Sequence, residues 1–362
     1  MFNPSRLRLA RKRRGLTMTR LATAVGVEAR TISGYENGEW PPPPETLGKI
    51  ASALRFPPTF FDGDDLDEPT PETASFRSMS RMSASRRDAA LSAGAIAFTL
   101  NDWIEARFEL PTADLPHLPG EEPEAAAMAV RQQWGIGERP IRNMVHLLEA
   151  KGVRVYSLAE DTVEVDAFSL WRNGTPFVFL NTLKSAEHGR FDAAHELGHL
   201  VLHRHGGPLG QDAEREANAF ASAFLMPRAS VLALAPRTAT LAHLIQLKKQ
   251  WIVSVAALAY RLHALGVLSD WHYRTLCIEL QGRGYRKVEP EGAQRETSQM
   301  LAKIFAALRD EGVTRADVAQ ALQVELEEVD CLVFRLILTG LAGGAPNGGS
   351  GPTRPPKLTV VK

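Results

Sequence analysis

The stretch FDAAHELGHLVLH, residues 191–203, constrains this chain more tightly than any other. His195 and His199 stand four residues apart. On a helix that spacing projects both imidazoles from one face, at the separation of two ligands to a single metal ion. Glu196 then lies about 100° round the same turn, near enough to reach a metal-bound water without binding the metal itself. Gly198 leaves room for another element to approach closely. A third ligand has to come from downstream, and DAEREANAFASAFLMP, residues 212–227, reads as a helix with two glutamates. Glu214 shares a helical stripe with Asn218 and Ala221, Glu216 shares one with Phe220 and Ala223, and periodicity does not choose between them.

Around this segment the chain is α+β and mostly α. Three short runs rich in β-branched and aromatic residues precede it: VRVYSL (153–158), AFSLWR (167–172) and FVFLN (177–181). Asn173-Gly174 between the last two is a hairpin signal. From Ala186 onward the pattern is helical almost throughout, ending in the flexible composition GGAPNGGSGPTRPPK. At the other end, residues 5–61 read as five short amphipathic helices. Thr17 can cap the second, Gly26 ends it in a tight turn, and a third runs from about Glu28 to Glu36. Leu21, Ala22, Val25, Val27, Ile32 and Tyr35 supply its buried side. A helix, a short glycine-containing turn and a second helix form the unit that places its second helix in a DNA major groove.

Charge supports the division. The whole chain balances 42 basic against 42 acidic residues, yet residues 1–56 hold ten basic against four acidic, a net of +6. The acidic stretch DGDDLDEPTPE (62–72) follows at once, and PTADLPHLPGEEPE (111–124) is a second proline-rich break. The expected domains are 1–66, a helical linker region 67–119, 120–232, a helical extension 233–286, a helical domain 287–341 and a tail 342–362. Cys277 and Cys331, 54 positions apart, form neither a disulfide framework nor a CxxC knuckle and read as buried apolar residues. No stretch approaches the ~18 apolar residues of a membrane span. The expectation is a cytoplasmic protein with no membrane partner.

Two resemblances follow from these motifs. LTMTRLATAVGVEARTISGYENG resembles the Xre/Cro-type helix-turn-helix, including the I-S-x-Y-E-N-G ending, and departs from it in having Met18 where the family often has Gln. The resemblance implies a double-stranded DNA operator as partner. It implies base-edge contacts from Ala29, Arg30 and Ser33, with Arg30 able to sit bidentate on a guanine. Arg6, Arg11, Lys12 and Arg14 would be its phosphate partners.

HELGHLVLH together with E-R-E-A-N-A-F-A-S-A-F-L-M-P resembles the ImmA/IrrE family of zinc metallopeptidases, over roughly residues 120–232. This implies a zincin-like domain holding one zinc per chain on His195, His199 and Glu214, with Glu216 the fallback ligand. Glu196 would be the catalytic base and Asn218 would orient a ligand histidine. His203 continues the stripe of His195 and His199; it reads either as support for a ligand or as a helix-end histidine satisfied by a carbonyl. Tyr260, His263 and His205 are equally conceivable as oxyanion partners. The substrate would be a regulatory protein, a helix-turn-helix repressor, cut under stress or mobile-element induction. The alternative is a non-proteolytic transcription factor whose zincin-like domain senses a ligand or dimerises, and a palindromic operator would imply a homodimer. VSVAALAYRLHALGVLS and residues 313–339 echo the helix-turn-helix style, the latter with acids that point to protein contact. The chain otherwise reads as free of internal repeats.

Overall fold

The computed structural model describes residues 1–70, 74–76, 83–158, 167–204, 210–236, 238–333, 336–337 and 359–360. The chain divides into two compact units. One comprises residues 1–110, 156–165 and 299–362, and the other residues 111–155 and 166–298.

The first unit begins with α1 (Pro4–Arg13), α2 (Met18–Val25), α3 (Ala29–Glu36) and α4 (Pro44–Leu54). A 3₁₀ turn at Pro58–Asp62 completes the five expected helices. Local chemistry sets the boundaries. Thr17 accepts from the Arg20 amide at 3.2 Å to start α2, and Gly26 ends it with φ 80°, a conformation that costs glycine nothing. Leu7, Leu21, Ile32, Ile50, Leu54, Phe56, Phe60 and Phe61 are buried between the helices. Among the described residues of 67–119 there is one helix, α5 (Ala84–Glu105), buried round its circumference from Ala89 to Phe98, where small residues let neighbours approach.

The second unit opens with α6 (Pro123–Gln133) and α7 (Met144–Ala150). The three predicted runs form β1 (Arg154–Leu158), which straddles the division between the units, and β2 (Phe168–Arg172) and β3 (Thr175–Asn181) of the second unit. β2 and β3 pair antiparallel through the Asn173-Gly174 turn, with Phe168 opposite Phe179. Helices α8 (Ala186–Leu202) and α9 (Gln211–Leu225) follow, then α10 (Arg228–Leu234), with Pro227 at its N-cap. α11 (Leu241–Leu247), α12 (Val255–Ala264) and α13 (Asp270–Gly282) complete the helices of the unit.

Residues 287–298 are tied to α8. The buried Arg190 pairs with Glu296 and donates to the Trp251 and Ile141 carbonyls. Glu296 Oε2 in turn accepts from the Met144 and Val145 amides at the start of α7.

The last helices, α14 (Gln299–Asp310), α15 (Arg315–Ala321) and α16 (Leu326–Val333), belong to the first unit. They hold the segment that echoes the helix-turn-helix style, and the echo is an internal repeat. Residues 312–333 repeat residues 15–36 at a constant offset of 297 (314 − 17). Thr314 caps α15 as Thr17 caps α2. Val318, Ala319 and Val329 are buried at the positions of Leu21, Ala22 and Ile32. Gln323 takes the positive φ of Gly26, at 57°, and the Val324 amide donates to Ala319 just as the Val27 amide donates to Ala22, each at 3.0 Å. The copy differs in having Gln instead of Gly at its turn and Glu327 and Glu328 where the first has Arg30 and Thr31. The tail 342–362 lies outside the described residues save Thr359–Val360, a short strand paired with Phe108–Glu109. Among the described residues no single helix is long and apolar enough to cross a membrane.

Candidate metal centre and nucleic-acid interface

Ser185 starts α8 by accepting from the His188 amide, and the helix then runs unbroken through both histidines, which makes their four-residue spacing a geometric fact. α9 crosses α8 at Gly198. A Cβ there would lie 3.1 Å from Phe220 Cδ1 and 3.3 Å from Ala217 Cα, so the hydrogen side chain sets the approach of the two helices. One turn before Ala217 that approach delivers Glu214.

The donor atoms converge. His195 Nε2 and His199 Nε2 are 3.1 Å apart. Glu214 Oε2 is 3.5 Å from His195 Nε2, and its Oε1 is 3.4 Å from His199 Nε2. Zinc bonds of about 2.0–2.1 Å at a tetrahedral angle separate ligand atoms by roughly 3.3 Å; the two imidazole nitrogens stand near that spacing, with one Glu214 oxygen close to each. Among the described residues they form the one cluster of three or more His, Cys, Asp or Glu side chains placed to share an ion. Burial by itself would raise the Glu214 carboxyl, but hydrogen bonds to His195 and His199 hold it down at about 2. It is therefore an anion, as a ligand must be.

The other predicted residues fall into distinct places. Glu216, on the opposite stripe of α9, joins His203 at 3.0 Å instead of the histidine pair. His203 in turn lies 3.0 Å from His199, Nδ1 to Nδ1. Burial lowers the His203 imidazole below its ordinary range, partly offset by Glu216. Asn218 donates to the Glu214 backbone carbonyl at 2.7 Å, which steadies the helix at the ligand and leaves the orientation of the histidines to other groups. Its amide is simply one turn from that carbonyl. Glu196 is fully buried, and its Oε2 accepts from Ser169 Oγ at 2.7 Å. Ser169 was not foreseen. The signal was a lone hydroxyl in an apolar strand, two residues before Trp171, which donates from its indole to the Leu200 carbonyl at 3.1 Å. The two residues share a strand face and anchor β2 along α8. His205 lies outside the described residues. His263 is spent on Asp270 at 2.8 Å and on the face of Tyr273. Both cysteines are half-buried, not fully buried as expected.

On the helix-turn-helix, Ala29 and Arg30 are exposed at the start of α3 and Ser33 is half-buried one turn on. Arg30 pairs with the exposed Glu28 at 2.7 Å, a contact weak enough to exchange for a base. Three of the four expected phosphate partners are committed elsewhere. Arg11 makes a bidentate pair with the buried Glu36, 25 residues away. Arg14 binds Glu328 and the Leu54 and Arg55 carbonyls. Arg6 donates to the Asp64 carbonyl and covers the Phe60 ring. A run of arginines on one helix reads as a solvated cationic face, and only the fold brings the carboxylates that neutralise it. Lys12 is half-buried and Arg20 is exposed on α2.

With this geometry in view, the comparisons agree. A family model described as a helix-turn-helix domain matches residues 5–60, and one described as an IrrE N-terminal-like domain, of a peptidase family, matches residues 148–263. No curated protein matches the chain. The two matches show a helix-turn-helix domain followed by an ImmA/IrrE-like domain in one chain, as the motifs predicted. The first is a DNA-binding type of domain and the second a metallopeptidase type.

Proposed function

We propose that this chain is a cytoplasmic DNA-binding regulator carrying a zinc-dependent endopeptidase. In this reading it cuts a regulatory protein, a helix-turn-helix repressor, under stress or mobile-element induction. The observation that carries the reading is the convergence of His195, His199 and the Glu214 carboxylate within 3.5 Å of one another, with Glu196 on the same helical turn. His195, His199 and Glu214 would hold the ion. Bound zinc supplies a Lewis acid that polarises a carbonyl and lowers the pKa of water to ~7.

The chain's own groups do the rest. Glu196 accepts a proton from the attacking water and returns it to the leaving amine. The Ser169 hydroxyl, by donating to Oε2, fixes the rotamer from which it does so. The buried walls of α8 and β2 keep bulk water from competing for that proton. Arg30, with Ala29 and Ser33 beside it, would read the operator, and Lys12, with the exposed Arg20, would meet phosphates.

The test is metal content and cleavage together, assayed on helix-turn-helix repressors of the same genome and on the Glu196→Gln chain itself. Wild type should carry about one zinc per chain. His195→Ala should carry none, and Glu196→Gln should keep the zinc and lose cleavage. Cleavage by Glu196→Gln would refute the base. Operator binding by a chain that takes up no zinc would leave a non-proteolytic transcription factor.

A further inference from the structure

Helix α13 buries Leu276 and Leu280 on its inner side, and Tyr273 reaches back toward α12, its ring centre 6.5 Å from that of Tyr260. The outer side breaks the usual pattern. Trp271 is 76% exposed and Ile278 is 73% exposed. Among the described large apolar residues only Met1 and Val288 are comparably exposed, and an apolar stripe left in water marks a surface made for a partner. Seven residues are two helical turns, so Trp271 and Ile278 stand on one line, with Thr275 between them and Gly282 at its end. The spacing of 4, 3 and 4 residues is that of the d, a, d and a positions of a coiled-coil seam. Thr275 donates its hydroxyl to the Trp271 carbonyl at 2.9 Å, which satisfies its polar end within the helix. A Cβ at Gly282 would meet open space.

The flanks of the stripe complement each other. Arg274, exposed, lies on one side of it, and Glu279, half-buried, lies on the other, five residues on. In this heptad Arg274 is a g residue and Glu279 the next e residue. Two parallel helices bring such residues together across the seam, and a twofold axis makes the contact twice. Within its own helix Glu279 has only the surface pair with Arg283 at 2.7 Å, weak enough to share. We infer that the Trp271–Thr275–Ile278–Gly282 face is a homodimer interface. Its occupant is α13 of a second copy lying parallel, held in register by reciprocal Arg274–Glu279 pairs. Beside Glu279 the helix walls a cleft of about 420 Å³ against α11, lined by Leu241, Ile245 and Leu276. That cleft widens the contact beyond one short helix, toward the roughly 800 Å² per partner that a stable dimer buries. A dimer of this kind carries two helix-turn-helix domains, as a two-half-site operator requires. The inference stands independently of the metal site.

The test is the oligomeric state of the full-length chain by sedimentation, with charge reversal to fix the register. Wild type should pass from monomer to dimer between about 1 and 100 μM. Ile278→Asp changes a side chain that the monomer leaves in water, so the chain should fold, and its dimer should weaken at least about tenfold. Arg274→Glu and Glu279→Arg each set like charges across the seam, and each alone should weaken the dimer at least about threefold. Mixing those two chains restores both pairs and should yield a heterodimer as tight as the wild-type dimer. The double variant Arg274→Glu/Glu279→Arg should recover self-association. Recovery of this kind reports facing residues, which a merely local effect on the helix would not give. A wild type that stays monomeric at about 100 μM would overturn the inference and leave the face to a different protein. A dimer indifferent to Ile278→Asp would overturn it by placing the contact elsewhere. Single charge variants that weaken the dimer with no recovery in the mixture or the double variant would overturn the parallel register.

Discussion

Glu328→Gln tests whether α16 is part of what holds the helix-turn-helix together. Glu328 is buried and accepts from Arg13 Nε at 3.0 Å and from Arg14 Nη1 at 2.5 Å. Removing one partner of a buried pair costs about 3–5 kcal/mol, because the remaining charge is left uncompensated. Two facts lower that figure. Arg14 keeps the Leu54 and Arg55 carbonyls, and a glutamine can still accept one hydrogen bond. A loss of about 2–3 kcal/mol is expected, or roughly 5–10 °C in the melting of a unit of this size.

The pH dependence is specific. Burial opposes ionisation of Glu328, but Arg13 and Arg14 outweigh it and hold the carboxyl below its ordinary value. A carboxyl lowered on folding stabilises the fold above its unfolded pKa, about 4.3, and that contribution fades as pH falls through the folded value. The gap between wild type and Glu328→Gln should therefore be constant from pH 8 to about 5 and close below about 4. Denaturant melts across pH measure the gap, and hydrogen exchange localises it to α1. Glu327→Gln, whose exposed partner Arg55 is 3.6 Å away, should be silent. A gap that survives undiminished at pH 3, or no gap at pH 7, would refute the assignment.

Gly198→Ala gains about 1 kcal/mol of helix propensity and loses about 1–3 kcal/mol to contacts with Phe220 and Ala217, so a thermal melt should show a net loss of about 0–2 kcal/mol. Gly198→Leu has to push α9 away and should lower zinc affinity at least tenfold through displacement of Glu214; unchanged affinity by chelator competition would show that the glycine does not set the ligand spacing. Arg30→Ala should cost about 1–3 kcal/mol of operator affinity and flatten base preference at one position, whereas Arg20→Ala should weaken all sequences alike and reduce the salt slope by about one. A uniform loss from Arg30→Ala in filter binding or anisotropy would make it a phosphate contact instead.

Much of the candidate site was legible because it is local. The geometry of His195, Glu196 and His199 is fixed by helical pitch alone, and the cap at Thr17 and the turn at Gly26 are set by residue type within a few positions. The β2–β3 hairpin follows from alternation and Asn173-Gly174. Family-like motifs then supplied Glu214. The residues by themselves left Glu214 and Glu216 level, because each heads a coherent stripe of α9. Which stripe meets His195 and His199 depends on the rotation and closeness of two packed helices, set at Gly198 against Ala217 and Phe220. The same limit explains the arginines of α1. Their spacing is visible in the sequence, but Glu36 lies 25 residues from Arg11 and Glu328 lies 315 from Arg13. Nothing along the chain says that those carboxylates will be buried beside them. Ser169 under Glu196, and His203 between His199 and Glu216, are likewise decided by which faces the packing of β2, α8 and α9 brings together. The sequence by itself determined periodicity, capping and the menu of ligands. The tertiary structure decided pairing, because a long-range contact forms only when burial of the surrounding apolar faces offsets the chain entropy of bringing distant segments together.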